Sequence, residues 1–119
     1  MQFAPYFLEL KKTLQGEVDG SLKSIIDHAL TAAGARLLTH RLDHPLCEVK
    51  AIQERLESVR FFVYHEDIRN EMRKHLKTMP DFERILGRVF INRSHPQDLF
   101  KLCVGLQLLP KITQCLVVS

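Results

Sequence analysis

The sequence predicts an all-α protein, a compact bundle of about six short helices forming one domain over residues 1–119. Three observations predict it. Apolar residues recur at alternating steps of three and four nearly everywhere after Gly20, the period of a helix with one buried face. Ser, Thr or Asp precedes several of these runs and proline interrupts them, as caps and stops require. Five glycines and five prolines are too few for the many turns of a β-sandwich.

The elements follow in order. Ser21 is placed to cap a short helix marked by Leu22, Ile25, Ile26 and Ala29. Thr31 is placed to cap a second, in which Ala35, Leu38 and Leu42 share a face and which Pro45 ends, because the residue before proline avoids helical geometry. The third carries the most regular stripe, Val49, Ile52, Leu56, Val59 and Val63. It is expected to be buried, with Leu56→Ala costing about 2–5 kcal/mol. In the fourth, Ile68, Met72, Leu76 and Met79 share a face; its acids lie early and its bases late, which suits the helix dipole. Asp81 is placed to cap a fifth through Phe82, Ile85, Leu86 and Val89. The sixth opens at Ser94-His95-Pro96-Gln97, where Ser and Gln three apart have capping-box spacing. Its expected buried face is Leu99, Leu102, Cys103, Leu106 and Leu109, and Pro110 is expected to kink or end it. The N-terminal arm, Met1 to Lys12, stays open. An unpaired strand is unstable, which favours a short helix or a frayed arm.

Composition bounds the function. A chain of 119 residues exposes roughly 6,600 Å² as an autonomous domain, enough burial for one core without disulfides or metal. Three cysteines with no Cys-x-x-Cys argue for a reducing, cytoplasmic setting. No uninterrupted apolar run approaches membrane-spanning length, and the first ten residues lack a basic signal region. A net charge of +3 neither demands nor excludes nucleic acid.

Chemistry-bearing residues are sparse. His40, His44 and Cys47 stand at helical spacing with Asp43 nearby, which is zinc-ligand chemistry. Pro45 breaks the helix between them, so solvated histidines and a packed cysteine are the preferred reading. The six histidines are scattered among charged residues, and no nucleophile motif or phosphate-cradling glycine–lysine loop is present. No catalytic, cofactor or metal residue is therefore assigned. The bases Arg55, Arg60, Arg69, Arg73, Lys74, Lys77, Arg84, Arg88 and Arg93 are interleaved with acids and lack stacking aromatics. They read as a solvated face, with at most weak non-specific contact to DNA.

A family resemblance rests on pieces in fixed order. Thr31-Ala-Ala-Gly-Ala-Arg-Leu-Leu38 is followed by His44-Pro45-Leu46, Ile52 to Val59 with Arg55-Leu56, Asp81-Phe-Glu-Arg-Ile85 and Pro96-Gln-Asp-Leu99. Leu14-Gln-Gly16 and Gly20-Ser-Leu22 fit just upstream. Together they resemble the MutS family of DNA mismatch-repair proteins from Leu8 on. The chain looks like that family's helical core, or lever, region, without the mismatch-reading, clamp and ATPase domains. Phe7-Leu8-Glu9 matches the family's mismatch-reading tripeptide only by coincidence. Met1 to Pro5, Arg41, Asn92-Arg93 and Gln97 depart from the family pattern, Asn92-Arg93 standing where glycine is usual.

The resemblance implies a mechanical role, linking mismatched duplex DNA to a distant ATPase within a homodimeric protein. ATP and magnesium would bind domains outside this region. The residues singled out are structural: Thr31, Gly34, Arg36, Pro45, Arg55, Asp81, Glu83, Arg84, Pro96 and Asp98. Gly34 is expected to permit close helix approach, and Glu83 and Arg84 to pair across helices. The other reading is a stand-alone helical adaptor whose 49-to-63 stripe receives a partner helix. The apolar end Leu116-Val-Val-Ser119 favours a piece of a longer chain over that adaptor.

Overall fold

The structure, a computed structural model, describes residues 8–117. Among them are six helices: α1 (Leu22–Ile26), α2 (Ala32–Asp43), α3 (Val49–Tyr64), α4 (Glu66–Lys77), α5 (Phe82–Phe90) and α6 (Pro96–Val117). No strand occurs among the described residues. Residues 8–12 form turns and bends, so this part of the arm is neither helix nor strand; the rest lies outside the described residues. The chain divides into two compact units, Met1–Val49 and Lys50–Ser119.

In the first unit the predicted caps form. Ser21 is fully buried; its hydroxyl accepts from the Ser24 N–H and donates to the Val18 carbonyl. The carbonyls of Glu9 and Leu10 accept from the N–H groups of Leu22 and Lys23. That satisfies donors a helix start leaves free. Ala29 lies beyond α1, which ends at Ile26. Thr31 accepts from the Gly34 N–H at 3.0 Å. Asp43, at the end of α2, forms an ion pair with Lys11 at 2.5 Å.

In the second unit α6 packs against both α4 and α5. It is the long element, 22 residues, or about 33 Å, and so is not one of six short helices. It runs past Pro110 to Val117, contrary to the expected stop at proline. The ring removes one N–H, leaving the Leu106 carbonyl without its usual donor, and the flanking turns still hold. By length and composition α6 could cross a membrane, although no uninterrupted apolar run predicted it. Its first turn holds the buried Asp98, and α4 and α5 pack along it, so it reads as a packing helix.

Burial departs from expectation. Among the described residues the one buried hydrophobic is Ile85, at 2% exposure. The chain exposes 9640 Å², against roughly 6,600 Å² for an autonomous domain of its mass. The α3 stripe is uncovered: Val49, Ile52, Leu56, Val59 and Val63 are 37–67% exposed. The half-covered positions of α3 are instead Ala51, Arg55, Phe61 and Phe62.

The candidate structural site at the α5–α6 corner

Asp81 starts α5, and its carboxylate accepts from the Arg84 N–H at 3.4 Å. Arg84 turns its guanidinium back to the same carboxylate, 3.7 Å away within its own first turn. The expected cross-helix pairing of Arg84 therefore gives way to a local pair. Glu83 lies exposed on that turn.

The end of α5 closes by backbone bonds. The Asn92 N–H donates to the Val89 carbonyl and the Arg93 N–H to the Arg88 carbonyl. This pattern is a Schellman motif. It requires left-handed backbone after the cap, and Asn92 adopts it at φ 53°. Asparagine is the non-glycine residue best suited there.

Pro96 opens α6, where its missing N–H costs nothing and its φ is preset. The capping-box register is one residue later than Ser94 and Gln97 predicted. Asp98 accepts from the His95 N–H at 3.1 Å, the reach from the third helical residue to the cap. Asp98 also takes a two-pronged grip from Arg88, with Nε–H donating to Oδ2 at 2.9 Å and Nη2–H to Oδ1. Such fork-on-carboxylate pairs are stronger and more directional than neutral bonds. Asp98 is only 5% exposed. The Arg88 fork, and then the His95 N–H, holds its carboxyl down at about 2. Arg88 is pushed up by the same bond.

Two turns along α6, Gly105 is buried against the start of α5. A Cβ there would lie 2.5 Å from Phe82 Cζ and 2.5 Å from Pro80 Cγ. Carbons in contact want 3.5–4.0 Å, so glycine is what lets the two segments meet. Gly34, which the sequence singled out for this task, has another neighbour: its Cβ would meet Thr31 Oγ1, its own cap, at 2.9 Å.

The covered face of α6 thus runs through Asp98, Leu102, Gly105, Leu108, Ile112 and Cys115. The expected face is rotated from this by about one residue. Of its members Leu102 is half-covered, whereas Leu99, Cys103, Leu106 and Leu109 are exposed.

In sequence Arg69 is one base of a charged face. It donates to the Phe62 carbonyl at 2.8 Å and pairs with Glu66 at 3.2 Å, tying the end of α3 to α4. Arg55 is half-buried, Arg36 lies on the exposed side of α2, and Pro45 follows the end of α2. Arg36 and Pro45 belong to the first unit, and Arg55 lies on α3 of the second. His40 and His44 stack at 4.6 Å. Cys47 is exposed, its Sγ 4.0 Å from the Pro45 carbonyl, and no metal-holding group of three His, Cys, Asp or Glu occurs among the described residues. A shallow groove on α4 and α6 is lined by Glu71, His75 and Cys115. Its thiol donates to the Lys111 carbonyl of its own helix, and Glu71 engages Lys74 at 2.8 Å.

Residues 6–119 match the family described as MutS domain III. The chain belongs to the MutS family. It is 48% identical over 99 residues to the DNA mismatch repair protein MutS of Zymomonas mobilis, covering 83% of this chain and 11% of that protein. Identity to the MutS of Wolbachia pipientis is 46% over 99 residues, covering 83% and 12%. For the MutS of Azorhizobium caulinodans it is 44% over 100 residues, covering 84% and 11%. The chain thus spans 11–12% of the length of these curated relatives. No solved structure matches it. In this MutS segment the corner is held by Arg88, Asn92, Asp98 and Gly105. Of these, the sequence had marked only Asp98 as structural.

Proposed function

We propose that this MutS segment is the helical core, or lever, of a DNA mismatch-repair protein, coupling mismatched-DNA binding to ATP hydrolysis at a distant site. In this reading the segment has no catalytic activity of its own. ATP and magnesium bind domains outside it, and the whole protein works as a cytoplasmic homodimer on mismatched duplex DNA. Family membership supplies the setting. The observation that carries the reading is the uncovered apolar surface of two long helices. A helix apolar nearly all round belongs in an interior, yet on α6 Leu99, Phe100, Leu106 and Leu109 are all exposed, as is the α3 stripe. Such faces suit a segment around which the rest of a larger protein packs. Packed helices then carry displacement between sites as rigid elements.

The exposed α3 stripe also favours a second reading, an adaptor that receives a partner helix. One experiment separates the two. ATP hydrolysis by the full-length protein carrying this segment is measured without DNA, with matched duplex and with mismatched duplex. Coupling predicts a different rate with the mismatch. Equal rates in all three, with intact DNA binding, would leave the adaptor reading.

A further inference from the structure

We propose that α5 and α6 form one rigid arm fastened at two points, and that Arg88, Asp98 and Gly105 are positioning residues through which a displacement of α6 reaches α5. The inference deepens the coupling reading and rests on it. The first fastening is the Arg88–Asp98 fork, which joins the last turn of α5 to the first turn of α6. Arg88 holds the corner twice, since its carbonyl also receives the Arg93 N–H that closes the Schellman turn. The second fastening is the close seat of Gly105 on Pro80 and Phe82 at the other end of α5.

The two points lie two helical turns apart, about 10 Å. One contact would leave a hinge, whereas two prevent both sliding and swinging. Beyond Gly105, α6 continues to Val117, an extension of about 18 Å. A push on that extension therefore turns α5 with it, in the way packed interfaces switch between discrete arrangements. The first fastening is an ion pair and the second is an apolar contact that only a residue without a side chain allows, so an apolar stripe in the sequence marks neither.

The test uses the full-length protein carrying this segment. The ratio of ATP hydrolysis with mismatched duplex to hydrolysis without DNA is measured for wild type, Asp98→Asn, Arg88→Lys and Gly105→Ala. Thr31→Ala, which loses a cap in the other unit, serves as control, and melting temperature is recorded for each. The proposal predicts at least a fivefold fall in the ratio for Asp98→Asn and Gly105→Ala. Arg88→Lys, with charge but no fork, should fall between them and wild type. Basal hydrolysis, DNA affinity and the control's ratio should hold. Where Asp98→Asn fails to fold, Arg88→Lys decides. Unchanged ratios in folded variants, or an equal fall in the control, would overturn the arm while leaving the coupling reading intact. No stimulation in wild type would sink the coupling reading itself, and the arm with it.

Discussion

Replacing Gly105 with alanine has opposite expected signs depending on whether the helix stands alone or is seated on α5. In an exposed helix interior, glycine to alanine stabilises by about 1 kcal/mol, because alanine loses less backbone freedom on folding. At Gly105 the new methyl meets Phe82 Cζ and Pro80 Cγ at 2.5 Å and Pro80 Cδ at 2.8 Å. The proline ring cannot rotate away, and overpacking of this kind costs about 1–3 kcal/mol. The close contacts place it in the upper part of that range, so the net loss is about 1–2 kcal/mol. Gly87 supplies the internal control. It lies within α5, and a Cβ there meets nothing within 4 Å, so Gly87→Ala should gain up to about 1 kcal/mol. Chemical denaturation and thermal melting of the two variants read the difference, at about 4 °C per kcal/mol for a chain of this size. Gly105→Ala stabilising the protein as much as Gly87→Ala does would refute the close seating of α6 on α5.

Two further outcomes follow from the same corner. Asn92 holds left-handed backbone at φ 53°, so Asn92→Gly should be neutral or slightly stabilising in a denaturation series, while Asn92→Val should cost on the order of 1–2 kcal/mol. Asp98 titrates at about 2 when folded, against an ordinary 3.8. Its contribution is thus complete above about pH 4 and is lost as the pH falls through 2, since the unfolded chain takes up the proton first. Acid titration of wild type and Asp98→Asn, followed by circular dichroism, should show a flatter loss of stability between pH 4 and 2 in the variant. Parallel curves would mean that the carboxylate is not held by Arg88.

The helices were legible because their ends are written in local chemistry. Ser21, Thr31 and Asp81 each precede a helix and each caps it. The faces were less legible, for two physical reasons. On α6 the contact with α5 is made by a charged residue and a glycine, Asp98 and Gly105, which a search for apolar stripes passes over. Leu99, Leu106 and Leu109 drew the expected face about one residue round the helix. On α3, regular spacing of Val49, Ile52, Leu56, Val59 and Val63 marks a face that favours cover, but periodicity does not say which part of a protein covers it. Arg88 and Arg69 resembled any surface base in sequence. Their partners, Asp98 and the Phe62 carbonyl, become visible only where a turn brings helix ends together. The shift of the capping box from Ser94 to His95 follows from the helix starting at Pro96, which makes His95 the cap and Asp98 the third helical residue.

The lever reading proposed above predicts that the exposed stripe of α3 is covered within a full-length MutS protein carrying this segment. Leu56, in the middle of the stripe, is 57% exposed here. The direct measurement is the stability cost of Leu56→Ala in two settings, this 119-residue chain and the full-length protein that carries it. In the chain alone the cost should stay below about 1 kcal/mol, because little apolar surface is lost and alanine is the better helix former. In the full-length protein it should rise to about 2–5 kcal/mol, the cost of a cavity in a packed interior. An equally small cost in both would show that the stripe faces water in the whole protein too, and that no other part of the protein packs on α3.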